Sequence, residues 1–200
     1  MEIFLPNDVF WCNTDTLKQC VDIDRSDALI ESYIFSDRFA NCVCVDGAFD
    51  AHIFPYFENF LLKCDETAFY MAVLSKGELV QCMNCDINKN IHSQEYCLPH
   101  IEFMGTTTRN DAFEFVYFSP SCEWVGWIHM LWEIGIFAFA NKSVADCFVD
   151  EMQRRDLYTP KEVVESIWHN PKRGIAKKFL ELYEPMAYPL GEYIDNKDES

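Results

Sequence analysis

Between Trp124 and Ala140 the chain reads WVGWIHMLWEIGIFAFA, seventeen residues in which only His129 and Glu133 are ionisable. So apolar a run must leave water, into either a bilayer or a protein core. It is shorter than the roughly 20 residues that cross hydrocarbon as a helix, and its two ionisable groups sit near the middle, where hydrocarbon penalises them most. The run therefore predicts core. Its texture suggests two strands, CEWVGWIHM and EIGIFAFA, with His129 and Glu133 flanking the turn between them and able to meet across the hairpin as a structural contact.

The same texture extends upstream. AFYMAVLS, a turn at Lys76-Gly77, LVQCM and AFEFVYFS are aromatic and β-branched runs broken by turn residues. Together they predict an antiparallel β-meander of about five strands, a common sheet size. Seventeen Phe, nine Tyr and five Trp in a chain that is 50% hydrophobic supply a core despite a large charge. NCVCVDG reads as a further strand ending in a turn at Asp46-Gly47.

Helices are expected on either side of the sheet. Ser26 can cap a short helix over SDALIESYIF, and Pro55 suits the first turn of one that places Phe57, Phe60, Leu61 and Cys64 on one side. After Ala140, Ser143 is a candidate N-cap with Asp146 three residues on. Val144, Phe148, Val149 and Met152 would form that helix's apolar face, and Arg154 and Arg155 would complement its C-terminal dipole. Thr159-Pro160-Lys161-Glu162 has the pattern of a capping box, followed by Val163, Val164, Ile167 and Trp168. Asn170-Pro171 starts a last helix with Ile175, Phe179, Leu180 and Tyr183 inward, until Pro185 stops it. The fold class is thus α+β: a single domain over residues 1–192, with 193–200 an acidic flexible tail.

The net charge is −17, from 16 Lys+Arg against 33 Asp+Glu. Residues 1–150 carry 8 basic against 23 acidic side chains, residues 151–180 carry 7 against 4, and residues 181–200 carry 1 against 6. Such a field repels nucleic acid and anionic membranes and speeds encounter with basic proteins. The densest acidic run outside the tail is Asp22, Asp24, Asp27 and Glu31, a candidate partner-binding cluster whose plainer reading is a solvated helix face. Lys172, Arg173, Lys177 and Lys178 form a basic patch on the last predicted helix, opposite its apolar side. The opening MEIFLPNDVF has neither the basic leader nor the apolar length of a signal peptide, so a cytoplasmic location is expected. Ten cysteines are then expected to be free thiols, acting mostly as small buried hydrophobes.

One spacing stands out. Cys82-x2-Cys85 and Cys97-x2-His100, separated by eleven residues, repeat the paired-ligand pattern of structural zinc sites, with His92 as a substitute ligand. Against it, fifteen Cys and His in two hundred residues produce some such pairs by chance, and neither pair carries the glycine that eases a metal knuckle. The expectation is no cofactor, with zinc at Cys82, Cys85, Cys97 and His100 as the alternative. Asp22-Ile23-Asp24 lacks a third ligand for a divalent cation. No cysteine sits in an activating context, and Walker, dinucleotide-binding, HExxH, GxSxG and deaminase patterns do not occur. No catalytic residue is assigned.

The segment SPSCEWVGWIHMLWEIGIFAFA, Ser119 to Ala140, resembles a hairpin of small cytoplasmic bacterial proteins, some of them immunity proteins of polymorphic toxin systems. There a Ser-Pro-Ser turn leads a tryptophan-bearing strand, and the next strand opens with an acidic residue. The likeness covers about a tenth of the chain and transfers no functional residue. Together with the acidic charge, it leads to the expectation of a non-enzymatic binding protein that neutralises a basic toxin domain, of nuclease type, by occluding it. Two alternatives come from other classes: a zinc-stabilised module or metal-dependent enzyme built on the cysteine pattern, and a structural subunit whose aromatics serve an interface.

Overall fold

The computed structural model describes residues 14–22, 34–46, 53–75, 78–87, 113–129, 134–152, 154–168 and 173–191. They form an α+β fold around a seven-stranded antiparallel sheet. The strands are β1 (Asn41–Asp46), β2 (Ala68–Ser75), β3 (Glu78–Asp86), β4 (Phe113–Phe118), β5 (Trp124–His129), β6 (Ile134–Phe139) and β7 (Leu157–Tyr158). The helices are α1 (Thr14–Cys20), α2 (Phe54–Lys63), α3 (Lys142–Glu151), α4 (Pro160–Glu162, continued by a π-helical turn over Val163–Ile167) and α5 (Arg173–Tyr183). Among the described residues no helix is long and apolar enough to cross a membrane.

The five strands expected between Ala68 and Ala140 are all present, but the sheet is not a meander of five. Its order is β3-β2-β4-β5-β6-β1-β7. β4 pairs with β2 rather than with its chain neighbour β3, and β1 enters between β6 and β7. Side-chain chemistry explains the choice. β2 alternates Phe69, Met71 and Val73 with Ala72 and Leu74, all buried, so both its faces suit an interior position. The β3 sequence, ELVQCMNCD, carries Glu78, Gln81, Asn84 and Asp86 and takes the outer place. β1 is interior for the same reason as β2, since Cys42, Val43, Cys44 and Val45 are all fully buried.

Each face of the sheet supports its own core. On the first, Cys42, Cys44, Ala72, Leu74, Val116, Phe118, Val125, Trp127, Ile134, Ile136 and Ala138 pack with Leu17 and Cys20 of α1, Val163, Trp168, and Phe179 and Tyr183 of α5. On the second, strand residues including Phe69, Phe115, Trp124, Phe137 and Phe139 pack with Phe57, Phe60 and Leu61 of α2 and Ala145 and Phe148 of α3. The helices thus form a layer on each side of the sheet, and the second core is an aromatic lattice. Phe137 and Phe148 stack at 4.9 Å, while Phe57 meets Trp124 edge-on at 5.2 Å and Phe60 meets Phe148 edge-on at 5.1 Å.

Several start and stop signals act as expected. A proline lies in the first turn of α2. Thr159 and Glu162 complete a reciprocal capping box before α4, and Pro185 lies in the 3-10 turn that ends α5. The cap of α3 is Asn141 rather than Ser143: its side chain accepts from the Val144 N–H at 3.0 Å. Asparagine is at least as good a cap as serine, and the strand already ends at Phe139, with the next N–H, of Ala140, bonded to the Glu123 carbonyl. Beyond α5 the chain returns along β1: the Tyr188 N–H donates to the Cys42 carbonyl at 2.7 Å, and Arg154 Nε to the Gly191 carbonyl at 2.8 Å. Most of the predicted Ser26 helix, and the tail at 193–200, lie outside the described residues.

Candidate functional site

The hairpin singled out by its Ser-Pro-Ser turn is built around a residue that sequence inspection passes over, Glu66. α2 ends in a Schellman turn: the Glu66 N–H bonds the Leu61 carbonyl, the Asp65 N–H bonds the Leu62 carbonyl, and Asp65 takes the left-handed conformation at φ 57°. That reversal brings the Glu66 carboxylate to the β4–β5 turn. There the Cys122 N–H closes on the Ser119 carbonyl at 3.0 Å, with Pro120 inside the turn and Cys122 at φ 57°. Glu66 Oε1 accepts from the hydroxyls of Ser119 and of Ser121, the latter at 2.8 Å. Oε2 accepts from the Trp124 indole Nε1–H at 2.8 Å.

Chemically this is a clamp. Three neutral donors satisfy one carboxylate and tie the end of α2 to the β4–β5 turn and the start of β5. A serine hydroxyl on a carboxylate could suggest a nucleophile and its base, but Ser119 is fully buried and its proton is committed to Glu66. The signal that could have found the site is the SPSCEW stretch, whose donors fit no core. Its acceptor lies more than fifty residues away along the chain.

A second polar pair lies inside the sheet. His129 does not stand beside a described Glu133, which falls outside the described residues; its register partner on β4 is Glu114. Both are buried, 6% and 1% exposed, and they are the only charged-type side chains so deep among the described residues. Burial pushes the His129 pKa down to about 4, so the imidazole is neutral near pH 7. Trp127 packs edge-on against that ring at 5.9 Å, and its own buried indole N–H meets no acceptor among the described residues.

The zinc pattern fares differently. Cys82 and Cys85 both lie on β3, and their pairing with Ala72 and Phe69 is uninterrupted. A three-residue step along a strand sends side chains to opposite faces, and accordingly Cys82 is buried in the first core and Cys85 in the second. The two sulfurs cannot chelate one ion from this strand. Cys82 is in any case disulfide-bonded, and so is not the free thiol expected of it. Cys97, His100 and His92 also lie outside the described residues. Among the described residues no three Asp, Glu, Cys or His side chains converge as metal ligands would.

Of the acidic cluster, Asp22 is exposed just after α1, where its N–H bonds the Ile34 carbonyl at 2.8 Å. Asp24, Asp27 and Glu31 lie outside the described residues. Of the basic patch, Lys177 and Lys178 are exposed on α5, and Lys177 pairs with Glu181 one turn on at 3.4 Å. The described part of the molecule therefore offers two buried polar arrangements suited to holding structure, and an exposed surface of mixed charge. Comparison with protein-family models, with curated proteins and with solved structures finds no match to this chain.

Proposed function

We propose that this chain is an acidic cytoplasmic binding protein that neutralises a basic toxin domain of nuclease type by occluding the surface where the toxin holds its substrate. The observation that carries the reading is the charge: 33 carboxylates against 16 basic side chains, with −15 of the net −17 falling in residues 1–150. A nuclease must hold phosphates and is therefore cationic at its groove. A partner of opposite sign is steered to that groove and competes for the contacts that nucleic acid would use. The likeness of the 119–140 hairpin to those of immunity proteins agrees with this. A clamped sheet with helices on both faces is also a suitable rigid platform for occlusion, which needs little rearrangement on binding. The partner is a protein; the same charge argues against nucleic acid and anionic membranes as ligands.

The test is co-expression with a basic C-terminal toxin domain encoded beside this chain. The reading expects restored growth and a co-purifying complex whose nuclease activity is lost. Continued killing, with both proteins folded and present, would reject it.

A further inference from the structure

We infer that residues 184–191 form a strap that opens and closes over the outer edge of β1 while the sheet stays folded, and that a latch between Tyr188 and Asp146 sets how often it opens. β1 runs from Asn41 to Asp46, but β7 covers only Cys44 and Val45 of its outer edge. Toward the start of β1 the strap takes the place of a strand. Ala187 forms a parallel bridge with Cys42, and the Tyr188 N–H donates to the Cys42 carbonyl at 2.7 Å. An uncovered edge on so apolar a strand is a template for pairing with another chain, and the strap closes it.

The strap is fastened near the surface. Where it leaves α5, Glu184 accepts from the Lys161 N–H at 3.0 Å, and at its far end Arg154 Nε donates to the Gly191 carbonyl at 2.8 Å. Between them the Tyr188 hydroxyl donates to Asp146 Oδ1 on α3. Lys142 Nζ lies 2.7 Å from the same carboxylate oxygen and 5.5 Å from the centre of the Tyr188 ring. A carboxylate held charged beside an ammonium makes a stronger acceptor for the hydroxyl than a neutral group would. The apolar contacts are divided and marginal: Met186 packs beside the first core, Tyr188 and Leu190 beside the second, and all three are only half-buried. Cys42, Val43, Cys44 and Val45 of β1 are by contrast fully buried. A segment so sparsely buried opens at a lower free energy than the sheet it rests on. Pro185 and Pro189 restrict the backbone on either side of Tyr188, so the segment moves as one piece.

Amide hydrogen exchange of the full chain, read residue by residue, tests this. In the wild type the Tyr188 amide should exchange at least about a hundredfold faster than the slowest amides of β1 and β6, which report opening of the sheet. Tyr188→Phe removes only the hydroxyl and should speed exchange at residue 188 about tenfold, leaving the sheet amides unchanged. Asp146→Ala should do the same, and the double variant should be no faster than the faster single one, because both act through one bond. The wild-type comparison needs no variant to fold. Exchange of the wild-type Tyr188 amide in step with the sheet would show that the strap has no opening of its own. An unchanged rate in Tyr188→Phe, or equal acceleration of strap and sheet, would remove the latch; each of these results overturns the proposal.

Discussion

Two tryptophans of one strand, three residues apart, are in opposite situations. Trp124 donates its indole N–H to Glu66, whereas the indole N–H of Trp127, buried on the other face, has no acceptor among the described residues. Replacing either by Phe keeps a ring, but only the first change breaks a charge-assisted bond. Trp124→Phe should therefore cost about 1–2 kcal/mol more than Trp127→Phe in urea denaturation, and equal losses would count against the clamp. Gly126 lies between them, and a Cβ there would overlap the Phe137 ring. Gly126→Ala is expected to destabilise by about 1–3 kcal/mol, because Phe137 is locked between Phe148 and Phe57 and cannot yield. His129 adds a pH dependence. Its pKa falls from 6.5 to about 4 on folding, so over that interval the unfolded chain binds a proton that the folded chain excludes. Stability is complete above pH 6.5 and declines as pH falls toward 4, with a slope of at most about 1.4 kcal/mol per unit. His129→Gln should flatten that part of the stability profile, and an unchanged slope would show that other groups produce it.

At the level of elements, the local codes were legible where a residue's chemistry acts within one turn. Pro55 at the start of α2 and the capping box at Thr159 needed no tertiary information, and Thr159→Ala should cost about 1 kcal/mol by chemical denaturation. Competition between neighbouring caps was harder to read, and Asn141 prevailed over Ser143 because the strand before it ends where its side chain can reach Val144. The Schellman end of α2 was not legible, since Asp65 gives no sign of a left-handed residue where glycine is usual. Asp65→Gly should preserve the turn and stabilise by up to about 1 kcal/mol, measured as a higher denaturation midpoint. Strand pairing was legible least. Each strand could be found from its own alternation, but which neighbour it takes depends on burial of both faces, and that put β2 inside and β3 outside.

For the whole molecule, the dominant property is charge. If a cationic partner is steered by it, the association rate should fall about tenfold or more between low and high salt while the dissociation rate changes little; a salt-independent association rate would place the affinity elsewhere. Composition and charge were fully determined by the sequence, as were the α+β class, the strand-forming runs and most helix starts, because these depend on residue type and short-range spacing. The tertiary structure alone decided three things. It separated Cys82 from Cys85 across the sheet, which the x2 spacing could not reveal without knowing that both lie on a strand. It set His129 opposite Glu114, a matter of register between two strands. It also brought Glu66 to the Ser-Pro-Ser turn and to Trp124, a contact between residues more than fifty positions apart that only the packing of α2 on the sheet creates.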